Sequence, residues 1–186
     1  MRLATTAPTS FNLQNWRFVA VRTPEQKARL RALAWDQAKV SEAAVTFIVC
    51  GQLADHRTLP DRLAGAVEAG FMPAEMVPGW EGAAKSLYFE QPQRQRDEAV
   101  RSATFGAGAL IYAAQAMGLG SAPMIGFDAP AVAEAFALAA DEIPVLLLAI
   151  GYATPQNWPR KPRRPLAQVL QLCLLYTSPS PRDQRG

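Results

Sequence analysis

Apolar positions fall along the chain in two kinds of block. Some are short, nearly unbroken runs of β-branched and aromatic residues. Others recur every three or four positions with charges between them. The first kind marks strands. Residues 16–22 contain Phe18, Val19 and Val21 and end at Thr23-Pro24. Residues 45–50, Val-Thr-Phe-Ile-Val-Cys, run without a polar break to Gly51, as a strand covered on both faces does. Residues 143–152 form a third such run, and 121–126 a shorter one.

The second kind marks helices. Thr23-Pro24-Glu25-Gln26 has a capping Thr, a Pro at the first helical position and Gln where a capping box needs it. Leu30, Leu33 and Ala34 follow at helical spacing, with Lys27, Arg29 and Arg31 on other faces. Residues 98–118 are rich in Ala and Gly, which allow close backbone approach, so this helix is expected in the middle of the fold or at a subunit contact. Gly118-Leu119-Gly120 ends it, and Asp128 can cap a helix over 129–138. Between 53 and 95 the pattern predicts a helix over 64–69, then a loop where Met72-Pro73 and Val77-Pro78-Gly79-Trp80 interrupt it. The order of strand, helix, strand, helices, strand, helix, strand calls for helices on both faces of a mixed sheet.

Composition supports one folded domain over 1–170. The chain has 186 residues, 49% of them apolar and 19% charged. The expectation is a soluble, cytoplasmic protein, because no apolar run is long enough to span a bilayer and no basic-then-apolar leader opens the chain. The two cysteines, Cys50 and Cys173, have no metal-ligand spacing, and Cys50 sits in an apolar run as a small buried residue would. A single histidine, His56, cannot build a His-rich metal site. The tail over 171–186 shifts to Ser, Pro and Arg without periodicity and is expected to be disordered or non-native.

The net charge is +3, yet Arg160, Lys161, Arg163 and Arg164 concentrate four positives, so the rest of the chain is slightly acidic. A compact anion site or a solvated basic stretch both fit. A broad nucleic-acid surface does not. The glycines of Gly106-Ala107-Gly108 and Gly118-Leu119-Gly120 lie in or after a helix, not between a strand and the helix it opens, so they form no dinucleotide fingerprint. Walker, G-x-S-x-G and HExxH motifs are absent. Beyond a histidine–carboxylate pair at His56, which nothing else in the sequence supports, no feature points to protein-only catalysis, and this leaves room for a cofactor to carry the chemistry.

One segment is different in kind. Pro8, Thr9, Ser10, Asn12, Gln14 and Asn15 put many small hydrogen-bonding groups just before the first strand. Such a loop suits the polar edge of an amphipathic ring system; it also suits an ordinary polar turn.

The sequence around it resembles the nitroreductase family. Ala7-Pro8-Thr9-Ser10-Phe11-Asn12-Leu13-Gln14-Asn15-Trp16 is similar to the family's A-P-S-S-x-N-x-Q-P-W. Residues 35–43 resemble its N-Q-x-x-V-x-x-A helix end, and 114–128 its Gly-Leu-Gly to Gly-Phe-Asp stretch. Residues 144–152 match its buried strand ending in Gly-Tyr, and 160–166 its closing K-x-R-x-P-L.

The resemblance implies an α+β fold, a three-layer α/β/α sandwich around a mixed, mostly antiparallel sheet, assembled as a homodimer with FMN at the subunit interface. It places Pro8, Thr9, Ser10, Asn12 and Gln14 against FMN from the neighbouring subunit. Asp36 or Gln37 would meet the pyrimidine edge, with Asp36 standing where the family often has Asn. The backbone at Ile125 and Gly126 would lie near flavin N5, and Lys161 and Arg163 would hold the phosphate. The implied activity is ping-pong transfer of a hydride from NADH or NADPH, through FMN, to nitroaromatic, quinone or related small-molecule acceptors, without an obligatory side-chain acid. Phe71, Met72, Met76 and Trp80 would be a lid over the flavin, or simply core or loop residues. The family's R-R-S-x-R motif has no counterpart ahead of Met1-Arg2-Leu3, so a missing first strand and helix and weakened FMN affinity are expected. A degenerate flavin-binding dimer without turnover is the alternative.

Overall fold

The computed structural model describes residues 1–172. It divides into a unit over 1–153 and a second from 154 onward. The tail expected to be non-native lies, from residue 173, outside the described residues, and so does Cys173.

The first unit holds β1 (Trp16–Val21), α1 (Pro24–Ala32), α2 (Ala38–Glu42), β2 (Val45–Gln52), α3 (Leu59–Glu68), α4 (Val77–Tyr88), α5 (Pro92–Ala116), β3 (Gly120–Met124), α6 (Ala129–Ala135) and β4 (Glu142–Gly151). The sheet order is β1-β2-β4-β3, and every pairing is antiparallel. Both strand prolines sit where a missing N–H does little harm. Pro123 is on the edge strand β3. Pro144 lies beside the register shift in β2–β4, beyond the reach of β3, whose pairing with β4 stops at Leu147.

Two faces of the sheet follow from strand alternation. Val49, Leu148 and Ile150 point to one side and pack under Ala103, Ala107, Leu110 and Ala114 of α5. Ile48, Cys50 and Leu147 point to the other and pack under Leu30, Val40 and Val132 from α1, α2 and α6 and under Ala34 in the turn after α1. Helix on sheet on helix is the expected three-layer arrangement. The small residues of α5 do let it come close: a Cβ on Gly51 of β2 would stand 2.2 Å from the Ala99 carbonyl oxygen. Cys50 is fully buried, and burial with the nearby Glu142 charge pushes its thiol up to about 12, so it is an inert packing residue.

A third cluster lies apart from these two. Leu13, Ala54, Leu59, Leu63, Ala84 and Tyr88 are buried together, with Phe11, Met72, Val77, Trp80 and Leu87 packed around them. It joins the loop before β1 to α3 and α4. Here the reading of 72–80 as a loop needs correction. Val77-Pro78-Gly79-Trp80 is the first turn of α4, and Pro92 likewise opens α5. Proline interrupts a helix only inside it; in the first turn its missing N–H has no partner to lose. The caps read from the sequence are present: Thr23 Oγ1 accepts from Gln26 N, and an Asp128 carboxylate oxygen from Ala131 N.

Candidate functional site

The sequence-predicted residues fall into three places. The first is the loop over 8–15. Phe11, Asn12 and Gln14 all have positive φ (51°, 57° and 47°), a region that side chains other than glycine occupy only when their surroundings impose it. The impositions are visible. The Thr9 hydroxyl accepts from Gln14 N at 3.0 Å, and Asn12 Nδ2 donates to the Arg62 carbonyl in α3 at 3.1 Å. Phe11 stands edge-on to Trp80 and Tyr88, with ring centroids 6.1 and 6.3 Å away. Leu13 is 1% exposed and serves as the loop's apolar anchor. Asn15 is also buried; its Nδ2 donates to Gln52 O at 2.8 Å, while its Oδ1 has no partner. Pro8 and Asn12 are exposed, and Thr9, Ser10 and Gln14 half-buried, on a backbone held by these contacts.

The second place joins the turn after α1 to the segment after β3. Trp35 and Asp36 have φ of 51° and 54°. Asp36 N donates to Arg31 O at 3.2 Å, and its carboxylate accepts from Arg31 Nε at 2.6 Å. Gln37 is the bridge. Its Nε2 lies 3.1 Å from the Ala34 carbonyl and 2.7 Å from the Gly126 carbonyl. Both neighbours are acceptors, so both amide hydrogens are committed and Oε1 is what Gln37 has left to offer. Asp128 N donates to Leu33 O at 2.9 Å, tying the same two segments a second time. Gly126 is required here: a Cβ would meet the Trp35 ring at 2.7 Å and Gln37 Nε2 at 3.3 Å. Ile125 and Trp35 beside it are 82% and 76% exposed, which leaves an open apolar rim around a backbone cradle.

The third place is the second unit, where Lys161 and Arg163 are both exposed and Arg163 Nη1 donates to Lys161 O. Of the residues suggested as a lid, Met72 and Trp80 are half-buried in the third cluster, while Phe71 and Met76 are exposed.

Within one chain the first two places do not meet. The loop packs in the cluster with α3 and α4, and the turn in the cluster with α1 and α6. No hydrogen bond joins the two among the described residues.

Sequence reading missed the polar groups beneath the loop. The Tyr88 hydroxyl lies 2.8 Å from Ser10 Oγ and 3.2 Å from Glu98 Oε2. Glu98 is 3% exposed, pairs with Arg101 and accepts from Ser102 Oγ at 3.1 Å. The available signal was Glu98, Arg101 and Ser102 at helical spacing on one side of an otherwise Ala-rich helix. Among the described residues no cluster of His, Cys, Asp or Glu could hold a metal, and no helix is long and apolar enough to cross a membrane.

Fold and site together define a class: a three-layer α+β protein whose site is made of backbone, amide and hydroxyl groups. Comparison with known proteins makes this specific. Residues 1–152 match the Nitroreductase family, and the chain belongs to that family. It is 38% identical over 176 residues to Protein DrgA of Synechocystis, covering 91% of this chain and 81% of that protein. It is 32% identical over 179 residues to a Thermus thermophilus protein named NADH dehydrogenase, with 91% and 81% covered. Among solved structures it superposes with a TM-score of 0.83 on a protein from Exiguobacterium sibiricum 255-15 determined in complex with FMN, at 30% identity and 92% and 83% coverage.

Proposed function

We propose that the chain is an FMN-dependent NAD(P)H oxidoreductase that reduces small planar acceptors of the nitroaromatic or quinone type. The observation that carries this reading is the cradle at Gly126. It is a glycine backbone covered on its Cβ side by the Trp35 ring and bonded through its carbonyl to the Gln37 amide. The exposed Trp35 and Ile125 side chains beside it offer apolar surface to a flat polar-edged ring. The residues fit the cofactor. Gln37 Oε1 can accept from a ring N–H, and the hydrogen-bonding capacity left on the exposed and half-buried hydroxyls and amides of the 8–15 loop suits a polyol chain.

FMN, when bound, supplies the hydride relay between the nicotinamide and the acceptor. The chain's own task is to orient flat partners and keep water from the ring face. Trp35 and Ile125 provide apolar surface for both at the cradle's edge. Because the 8–15 loop and the Gly126 cradle belong to different clusters of one chain, the reading includes a homodimer in which the loop serves the partner's cradle. For the phosphate it keeps Lys161 and Arg163, on the resemblance of 160–166 to the family's closing motif.

The test is direct. Purified protein mixed with FMN is expected to retain it through gel filtration as a yellow dimer, and anaerobic NADPH or NADH is expected to bleach the flavin band. Retained flavin that neither nucleotide bleaches would leave a binding protein without turnover. Failure to retain FMN at all would overturn the reading.

A further inference from the structure

Ser10, Tyr88 and Glu98 form a chain of polar groups leading from the candidate loop into the core. A phenol carries one hydrogen, so Tyr88 can donate to Ser10 or to Glu98 but not to both. Glu98 settles the choice. Paired with Arg101 and accepting from Ser102 Oγ, it is a carboxylate, which can only accept. A charge-assisted bond from the phenol to that carboxylate is also the stronger option. The Tyr88 hydrogen therefore points to Glu98, and the Ser10 hydroxyl must turn its own hydrogen inward to Tyr88 Oη, 2.8 Å away. Tyr88 is 3% exposed and Glu98 equally buried, so water does not compete for either. Burial also holds the Tyr88 phenol above its ordinary range, opposed by the Ser10 bond and reinforced by the Glu98 charge.

We propose that Tyr88 and Glu98 are positioning residues that fix the polarity of Ser10, so that it presents only lone pairs outward and accepts from a donor on the ligand. Resting on the flavin reading above, this makes Ser10 a receptor for a hydroxyl or ring N–H of FMN and a poor partner for a carbonyl or phosphate oxygen. The strained backbone at Phe11 and Asn12 belongs to the same device. It holds the Ser10 side chain over Tyr88 while Phe11 packs edge-on to the same phenol ring.

A double-mutant cycle tests it on the full chain. Tyr88→Phe is expected to weaken FMN binding about fivefold to tenfold, the worth of one hydrogen bond. Ser10→Ala should weaken it similarly, and the double variant should be no worse than Ser10→Ala alone. A role for Tyr88 in folding only would instead give multiplying effects, and that result would overturn the proposal. Should Tyr88→Phe fail to fold, Glu98→Gln takes its place; its effect should vanish in the Ser10→Ala background, and persistence there overturns the proposal. Wild-type protein that binds no FMN would sink the flavin reading alone. The relay is then read from thermal unfolding of the same ligand-free variants, where non-additive losses support it and additive ones refute it.

Discussion

The 8–15 loop and the 35–37 turn both keep non-glycine residues at positive φ, yet they are held in different ways. Phe11, Asn12 and Gln14 sit on a buried cluster and a polar chain reaching Glu98, with partners drawn from α3, α4 and α5. Trp35 and Asp36 sit on an open surface, fixed by one exposed ion pair and by the Gln37 amide. Strain of this sort costs on the order of 1–3 kcal/mol per residue and persists only where the surroundings over-determine it. The loop is over-determined from beneath. The turn is determined at its edges and leaves its upper surface free. Under the function proposed above, the rigid loop would serve the cofactor that stays and the open turn the flat partners that exchange.

The sharpest way to break this contrast is Leu13→Ala. Emptying a 1%-exposed leucine site beneath the loop should cost roughly 2–5 kcal/mol and lower the midpoint of thermal unfolding by many degrees. An unchanged midpoint would show that the loop is not anchored in the core. Next in size is Gln37→Ala, which removes two hydrogen bonds and should cost about 1–3 kcal/mol. Amide hydrogen exchange should quicken at 125–128 and stay unchanged at 8–15. Faster exchange in both would mean that the two walls are coupled within one chain.

The smallest effect concerns Asp55, which caps the turn leading into α3 beneath the loop. The Arg57 guanidinium beside it holds its carboxyl below the ordinary 3.8. A folded-state value lowered in this way stabilises the fold above the unfolded value and loses that contribution as pH falls through the folded one. The pair is partly solvated, so Asp55→Asn should cost about 0.5 kcal/mol at neutral pH. The difference in unfolding midpoint between the two proteins should close as pH drops from 5 toward 3. A gap that widens over that range would refute the sign.

The strands and caps were legible because their signals are local. The unbroken β-prone run of β2, Thr23 before Pro24 and Asp128 before α6 each declare themselves within a few residues. Two things were not. Pro78 reads as a break, although it lies in the first turn of a helix, because the same residue ends a helix from within and starts one from its edge. The Ser10–Tyr88 contact links residues 78 positions apart, and nothing near either one announces it. The residues assigned by resemblance split in the same way. Gln37 and Gly126 are joined by the fold, while Ser10 and Asn12 lie in the separate loop, held to Tyr88 and to the Arg62 carbonyl.

The close passage of α5 over Gly51 has a practical meaning. With the Ala99 carbonyl oxygen occupying the space of a Cβ, strand and helix meet main chain to main chain, leaving no side chain to trim or enlarge. The middle of the molecule is therefore fixed ground for anyone reshaping it toward another oxidant. Variation has room at Ile125, whose exposed side chain meets solvent before it meets the fold.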